Sequence, residues 1–187
     1  MRIATAFAAL LLAASPGSAW EPGERAADAP EELEQFAFLV GCYDIAASRW
    51  SAETGDFGPS APARWNGRWA LDGWAIYDEW FDVQIPGQAP DLGRGANLRV
   101  YETDTGQWVM VWAHTEGPGQ VLRAEQREEG LVMWREHPLR DTDWRAVFTV
   151  DDDGGWTRVD YSRDFGTDDW TPGGRLAATP TTCQTAE

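Results

Sequence analysis

Lysine is absent from the sequence: all 15 basic residues are arginine, and 31 residues are acidic, so the formal net charge at pH 7 is −16. A protein that binds nucleic acid needs a basic surface to neutralise phosphates, and one that docks on anionic lipid needs a basic segment near the headgroups. The charge balance therefore argues against both kinds of partner.

Histidine and cysteine are scarce, with two residues of each. His114 and His137 are not accompanied by other ligands at zinc spacing, and the acidic run at 151–153 does not match a calcium-loop pattern. The chain also lacks a Gly-x-Ser-x-Gly motif, the signature of one large class of nucleophilic serine enzymes. We therefore expect no metal and no cofactor, with haem held by His114 or His137 as a minor alternative.

Long apolar runs are missing too, since the longest, residues 3–14, is too short to span a bilayer as a helix. It follows Met1-Arg2 and precedes the small residues Gly17 and Ala19, a pattern typical of a secretory signal peptide. We expect residues 1–19 to be removed during export to the periplasm or the medium, with no membrane insertion afterwards. Residues 20–32, rich in proline, alanine and acid, are expected to form a flexible leader before a domain at 33–183.

Cys42 and Cys183 enclose nearly the whole of that domain. An even pair of cysteines in an oxidising compartment favours a disulfide, and closing so long a loop is worth about 5 kcal/mol in the chain-entropy model. The alternative is two separate thiols.

Tryptophan, in contrast, is abundant, with 12 residues. Residues 30–39 begin with proline and acids and predict one short helix, with Leu33, Phe36 and Leu39 on one face. Beyond Gly41 the apolar pattern has a period of two, interrupted by turn residues about every ten positions. The predicted strands are 42–50, 62–71, 74–84, 95–103, 107–114, 119–127, 131–136, 144–150, 156–164 and 174–180.

Short sequential strands joined by tight hairpins predict an all-β fold, an antiparallel up-and-down barrel of 8–10 strands. Closing the sheet into a barrel removes its exposed edges. No second helix interrupts the strands, which excludes a parallel α/β fold.

The hairpin at Asp72-Gly73 specifies which side of its strands faces inward. Asp-Gly is typical of a two-residue type I′ turn, and the alternation then places eight residues on one side of the sheet. They are Trp65, Gly67, Trp69, Leu71, Trp74, Ile76, Asp78 and Trp80. Burying a large aromatic side chain is worth roughly 2–3 kcal/mol, so this side is expected to face the interior.

The next hairpin, at Asp104–Gly106, suits a loop with a left-handed glycine. We expect it to pair Glu102 with Trp108, which places Ala96, Leu98, Val100, Met110, Trp112 and His114 inside. The opposite side then carries Asn97, Arg99, Tyr101, Val109 and Val111, a candidate surface for self-association. The hairpin near Gly130 is expected to place Leu122, Ala124, Val132 and Trp134 on one face.

Three stretches resemble a known group. They are Phe38–Tyr43, Leu71–Trp80 and Arg94–Trp112, and they are similar to uncharacterised bacterial lipocalin-like proteins of the calycin superfamily. The resemblance covers roughly residues 33–180 and implies a barrel that holds a small apolar ligand. It implies no catalytic residues. Tyr43 stands where lipocalins carry a tryptophan, so the arginine-on-tryptophan closure of that group is not implied here.

An interior with so many indoles and a few polar groups favours a pocket over a solid core. The leading hypothesis is a receptor for a small hydrophobic or aromatic molecule, with no nucleic-acid partner. The predicted ligand-binding residues are Trp65, Trp69, Asp78, Trp80, Leu98, Met110, Trp112 and His114.

Two alternatives stay open. One is an isomerase, cyclase or hydratase of an apolar substrate, with Asp78 as general acid or base and His114 beside it. It needs Asp78 within hydrogen-bond reach of His114 or of an arginine in the cavity. The other is a solid-cored interaction module that uses its outer face.

Overall fold

The computed structural model describes residues 21–83, 93–138 and 141–183. A 3₁₀ helix at Glu31–Leu39 precedes the strands. The strands are β1 (Gly41–Ser51), β2 (Asp56–Phe57), β3 (Ala61–Ala70), β4 (Ala75–Asp82), β5 (Arg94–Glu102), β6 (Gln107–His114), β7 (Gly117–Arg127), β8 (Gly130–Arg135), β9 (Thr142–Val150), β10 (Trp156–Asp164) and β11 (Thr171–Thr181).

Ten of these strands form a closed antiparallel barrel. From β3 to β11 each strand pairs with the next along the chain, and β1 closes the sheet by pairing with both β3 and β11. β2 pairs only with the end of β1. The predicted all-β, up-and-down barrel with one short helix is confirmed.

The 3₁₀ helix closes one end of the barrel. Leu33, Phe36 and Leu39 recur every three residues, which is one 3₁₀ turn, and all three are buried. The Phe36 ring packs edge-on against Trp108 and Phe148, with centroids 4.9 and 5.7 Å apart. This half of the interior is therefore a solid aromatic core, to which Trp65 and Trp156 also belong.

The Asp72-Gly73 hairpin has the expected register, with Trp65 opposite Trp80 and Gly67 opposite Asp78. The turn is wider than expected, because the strands stop pairing at Ala70–Ala75 and Leu71 and Asp72 take left-handed backbone conformations. The inward placement of Leu71 and Trp74 is therefore wrong, since both side chains are exposed.

The expected register of the next hairpin is wrong by one residue. Glu102 pairs with Gln107 rather than Trp108, across a four-residue loop that ends in left-handed Gly106. A shift of one residue moves every side chain of a strand to its other face. β5 thus places Asn97, Arg99 and Tyr101 inside, opposite Trp112, Met110 and Trp108, whereas Leu98 lies outside, opposite Val111. The self-association surface proposed for Asn97, Arg99 and Tyr101 does not exist in that form.

The hairpin at Gly130 shows the same error. Its loop has two residues, so Leu122 pairs with Arg135 and Ala124 with Met133. Val132 and Trp134 therefore lie on the outer face, and their predicted position beside Leu122 is wrong.

The first and last described segments are both attached to the barrel. The predicted disulfide between Cys42 and Cys183 is formed, and it ties the start of β1 to the residues after β11. The described part of the expected leader lies along the β3–β4 turn, where Pro22 accepts the backbone N–H of Trp69 at 2.8 Å and Ala26 donates to Gly73 at 3.2 Å. Within the described residues, no helix has both the length and the apolar character needed to cross a membrane.

A substitution at Gly67 tests how closely the 3₁₀ helix packs against the barrel. A Cβ at this position would overlap the carbonyl oxygen of Leu39, the last residue of the helix. We expect Gly67→Ala to lower the free energy of unfolding by about 2–3 kcal/mol or more in urea titrations, because backbone cannot yield as a side chain can.

Gly117→Ala is the matched control, since a Cβ there would meet no atom within 4 Å. Its free energy of unfolding is expected to stay within about 0.5 kcal/mol of the wild type. Equal stabilities for the two variants would show that the end of the helix does not pack against Gly67.

Candidate functional site

The half of the barrel opposite the 3₁₀ helix is hollow. Its cavity of about 780 Å³ opens between the strand ends. The floor and walls include four indoles, those of Trp65, Trp80, Trp112 and Trp144. The polar part of the lining includes Asn97, Arg99, His114, Gln120, Arg135, Arg158 and Asp160. The interior is thus packed at one end and hollow at the other, so it is not the solid core that the interaction-module alternative requires.

A buried ion pair lies at the floor. The Nε of Arg99 donates to Oδ2 of Asp78 at 2.6 Å, and the two side chains are 1% and 0% exposed. The guanidinium lies over the rings of Phe36 and Trp65, with its Cζ 4.7 and 5.7 Å from the centroids. Its Nη1 donates to the Met110 sulfur at 2.9 Å. Arg99 therefore joins the aromatic core below to the cavity above.

The electrostatics of Asp78 follow from its burial. Desolvation raises the pKa of the Asp78 carboxyl, and the charge and hydrogen bond of Arg99 oppose that rise. The requirement that the enzyme alternative set, an arginine within hydrogen-bond reach of Asp78, is met by Arg99. Asp78 itself is not among the residues that line the cavity.

One wall is formed by Trp80 and Trp112. The indole N–H of Trp80 donates to Oδ1 of Asp82 at 3.0 Å, while Oδ2 of Asp82 accepts the backbone N–H of Gly93 at 3.1 Å. This pair of bonds holds the Trp80 ring in place. Trp112 crosses the backbone of Gly95, where a Cβ would overlap its ring. Glycine at this position therefore lets the indole lie against strand β5.

His114 lies beside Trp112 at the mouth. The two rings stack with centroids 5.9 Å apart and planes 21° apart. Nδ1 of His114 accepts the backbone N–H of Glu116 at 3.2 Å. His137 is exposed and does not line the cavity. The described residues include no group of three or more His, Cys, Asp or Glu side chains that could hold a metal ion.

Arg135 and Trp144 continue the lining onto strands β8 and β9. The Nε of Arg135 donates to Oε1 of Gln120 at 2.7 Å, and its Cζ lies 5.2 Å from the Trp144 ring centroid. Gln120 pairs directly with Trp112 across β6 and β7. A continuous row, Trp112, Gln120, Arg135 and Trp144, therefore follows the mouth of the barrel over four neighbouring strands.

Among the residues that the structure describes, Asn97 is one of three buried polar residues of the lining, with Ser48 and Arg99. It is 2% exposed, lies between Asp78 and Trp112 in the strand pairing, and its Oδ1 accepts no hydrogen bond from the described residues. A buried polar atom without a partner is costly. Asn97 is thus a natural contact for a polar group inside the cavity.

Of the predicted site residues, Trp65, Trp80, Trp112 and His114 line the cavity. Asp78 and Met110 lie beneath it and hold Arg99. Trp69 faces inward but lies toward the closed end, and it is not part of the lining. Leu98, predicted to bind ligand, is on the outer surface, so its predicted position is wrong.

The sequence reasoning missed most of the polar lining, notably Asn97, Arg99, Arg135, Arg158 and Asp160. The predicted register turned the wrong side of β5 toward the interior, so Arg99 and Asn97 were expected on the outer surface. A signal was present for Arg135: a two-residue loop at Glu128-Glu129 places it opposite Leu122, on the inner face.

The chain matches no protein-family model, and no curated protein is significantly similar to it. The fold and the site define the class of the protein: it is an antiparallel ten-stranded barrel that is closed at one end by a helix and has a cavity at the other end. The lipocalin-like resemblance stays a prediction.

The contribution of the buried Asp78–Arg99 ion pair to stability can be measured by mutation. Removing one partner leaves an uncompensated buried charge or an unpartnered carboxylate, so we expect Asp78→Asn and Arg99→Met each to lower the free energy of unfolding by about 3–5 kcal/mol. The double variant should lose less than the sum of the two, by about 2 kcal/mol or more, in a double-mutant cycle.

The control is the surface pair of Asp44, which is exposed, and Arg64, which is partly exposed; they lie 3.3 Å apart, and their coupling should stay below about 1 kcal/mol. Additive losses at Asp78 and Arg99 would contradict the role given to their ion pair.

Proposed function

We propose that this protein is an exported, lipocalin-like barrel that binds a small hydrophobic or aromatic molecule in its cavity. The observation that carries the proposal is the hollow half of the barrel, in which indoles supply the walls above a packed floor. Trp65, Trp80 and Trp112 are the proposed apolar contacts, and Asn97 and His114 the polar ones.

The size and chemistry of the cavity support a small-molecule ligand. Its volume lies within the range of about 300–1,000 Å³ that ligand pockets occupy. Such pockets combine apolar walls with convergent polar groups, and this cavity is lined by both indoles and polar side chains. Flat indoles held in fixed orientations, as those of Trp80 and Trp112 are, favour a ligand with a flat apolar face.

The compartment is inferred from two independent features. The Cys42–Cys183 bond favours an oxidising environment, where disulfides persist. The apolar run at residues 3–14 with small residues before position 20 supports an export signal. Together they favour the periplasm or the extracellular medium.

Binding is favoured over catalysis because of where Asp78 lies. A general acid or base must come within about 3 Å of the proton that it transfers, or reach it through one water. Asp78 is fully buried, its Oδ2 is bound to Arg99, and the cavity surface does not include it. Its position suits a structural counter-ion for Arg99.

A neutral fluorescent aromatic, N-phenyl-1-naphthylamine, tests the receptor role. We expect it to bind with a stoichiometry of one, measured by fluorescence titration and native mass spectrometry. Trp112→Ala removes a wall of the cavity and should raise the Kd roughly tenfold or more, since burial against a large aromatic is worth about 1.5–3 kcal/mol.

The control is Trp134→Ala, which removes a half-buried tryptophan from the outer face of β8. Its Kd should stay within about twofold of the wild type. The proposal fails if the probe does not bind, or if both variants weaken binding equally.

A further inference from the structure

The charge of the cavity differs from that of the chain as a whole. Among the described residues, five arginines line the cavity but only two acidic residues do, although the whole chain has 31 acidic residues against 15 arginines and a net charge of −16. The seven residues are Arg49, Arg99, Arg135, Arg158, Arg175, Asp82 and Asp160. The cavity lining is thus rich in arginine and poor in acidic residues, in contrast to the chain as a whole.

Two of these cations are neutralised by the protein itself. Arg99 is paired with Asp78 beneath the floor. Arg158 binds Asp160 through two contacts, Nε to Oδ1 at 2.9 Å and Nη2 to Oδ2 at 3.1 Å. Arg49 is exposed, and the Arg175 guanidinium lies over the Phe57 ring, 4.6 Å from its centroid.

Arg135 differs from Arg99 and Arg158 in having no carboxylate partner in the part of the chain that the structure describes. No ion pair formed within the described residues includes it, and its hydrogen bond goes to the neutral amide of Gln120. Burial lowers the pKa of the Arg135 guanidinium, and Asp160, which lies beyond ion-pair distance, only partly offsets this effect. An oxyanion beside Arg135 would compensate a cation that the protein leaves without a carboxylate.

We propose that the ligand is an organic anion whose aromatic body lies against the cavity indoles while its carboxylate or sulfonate pairs with Arg135. The guanidinium presents a planar fork that matches the two oxygens of such a group. Trp144 beside Arg135 and Trp112 along the same row supply flat apolar surface within reach of the charge. The unpartnered amide oxygen of Asn97 is an acceptor, so it suits an N–H or O–H on the body of the ligand and not the anionic group.

This inference rests on the proposed function, so its test compares two probes with the same aromatic body. 1-Anilinonaphthalene-8-sulfonate carries an anionic group, and N-phenyl-1-naphthylamine lacks it. The wild-type protein should bind the sulfonate more tightly. Arg135→Gln should raise the Kd of the sulfonate about ten- to a hundredfold, the value of a charge-assisted hydrogen bond, and change that of the neutral probe less than about twofold.

Arg127→Gln is the matched control, because Arg127 also lies 5.2 Å from a tryptophan ring centroid, that of Trp134, but on the outer face. It should leave both Kd values unchanged. Arg135→Lys keeps the charge without the planar fork, so it should lose less affinity for the sulfonate than Arg135→Gln does. Thermal unfolding of each variant verifies that the barrel is intact.

The outcomes separate the two proposals. If neither probe binds, the receptor role fails and the anion inference fails with it. If the neutral probe binds as tightly as the sulfonate, or Arg135→Gln weakens both equally, the receptor role stands and the anion inference is overturned. An equal loss of sulfonate binding in Arg127→Gln would place the anion on the outer face and also overturn it.

Discussion

The ion pair between Arg99 and Asp78 lies where the packed half of the barrel meets the hollow half. A guanidinium with 1% exposure is tolerated only because a carboxylate, two aromatic faces and a methionine sulfur surround it. Below it, Phe36 from the 3₁₀ helix fills the interior with Trp108 and Phe148. Above it, the lining becomes polar. The pair therefore sets the depth at which apolar packing ends and a solvated or liganded surface begins.

The open half stays hollow because its inward side chains, which are indoles and charged groups, pack or pair along the walls and do not extend into the centre. Trp80 is held by Asp82, Trp112 lies across Gly95, and Arg158 is paired with Asp160 along its own strand. These three side chains each rest on a neighbour on the same wall, so none of them extends across the barrel. Glycine at 95 and 174, both inward on the strand pairing, further limits the volume that side chains fill.

Strand number, the helix, the disulfide and the hairpin at Asp72-Gly73 were predictable from residue patterns, because each depends on local turn chemistry or on a simple pairing. The faces of β5 and β8 were not. The loop before Gln107 has four residues and the loop before Gly130 has two. Each loop length shifts the strand pairing by one residue from the expected register, and a shift of one residue turns every side chain of a strand to its other face. The error removed Asn97, Arg99, Met133 and Arg135 from the predicted cavity lining. For Arg99 the alternation pattern alone favours an outer position, since nothing in the local sequence indicates that its charge will pair with Asp78 on the neighbouring strand.

The central claim, a barrel with a ligand-accessible interior at one end, is tested most directly by a crystal structure of the protein soaked in a bromine-substituted aryl carboxylate. The account predicts an anomalous bromine peak inside the barrel, between Trp112 and Trp144, with the carboxylate oxygens at the Arg135 guanidinium. Bromine peaks confined to the outer surface, or an interior filled by the side chains of the protein itself, would contradict it.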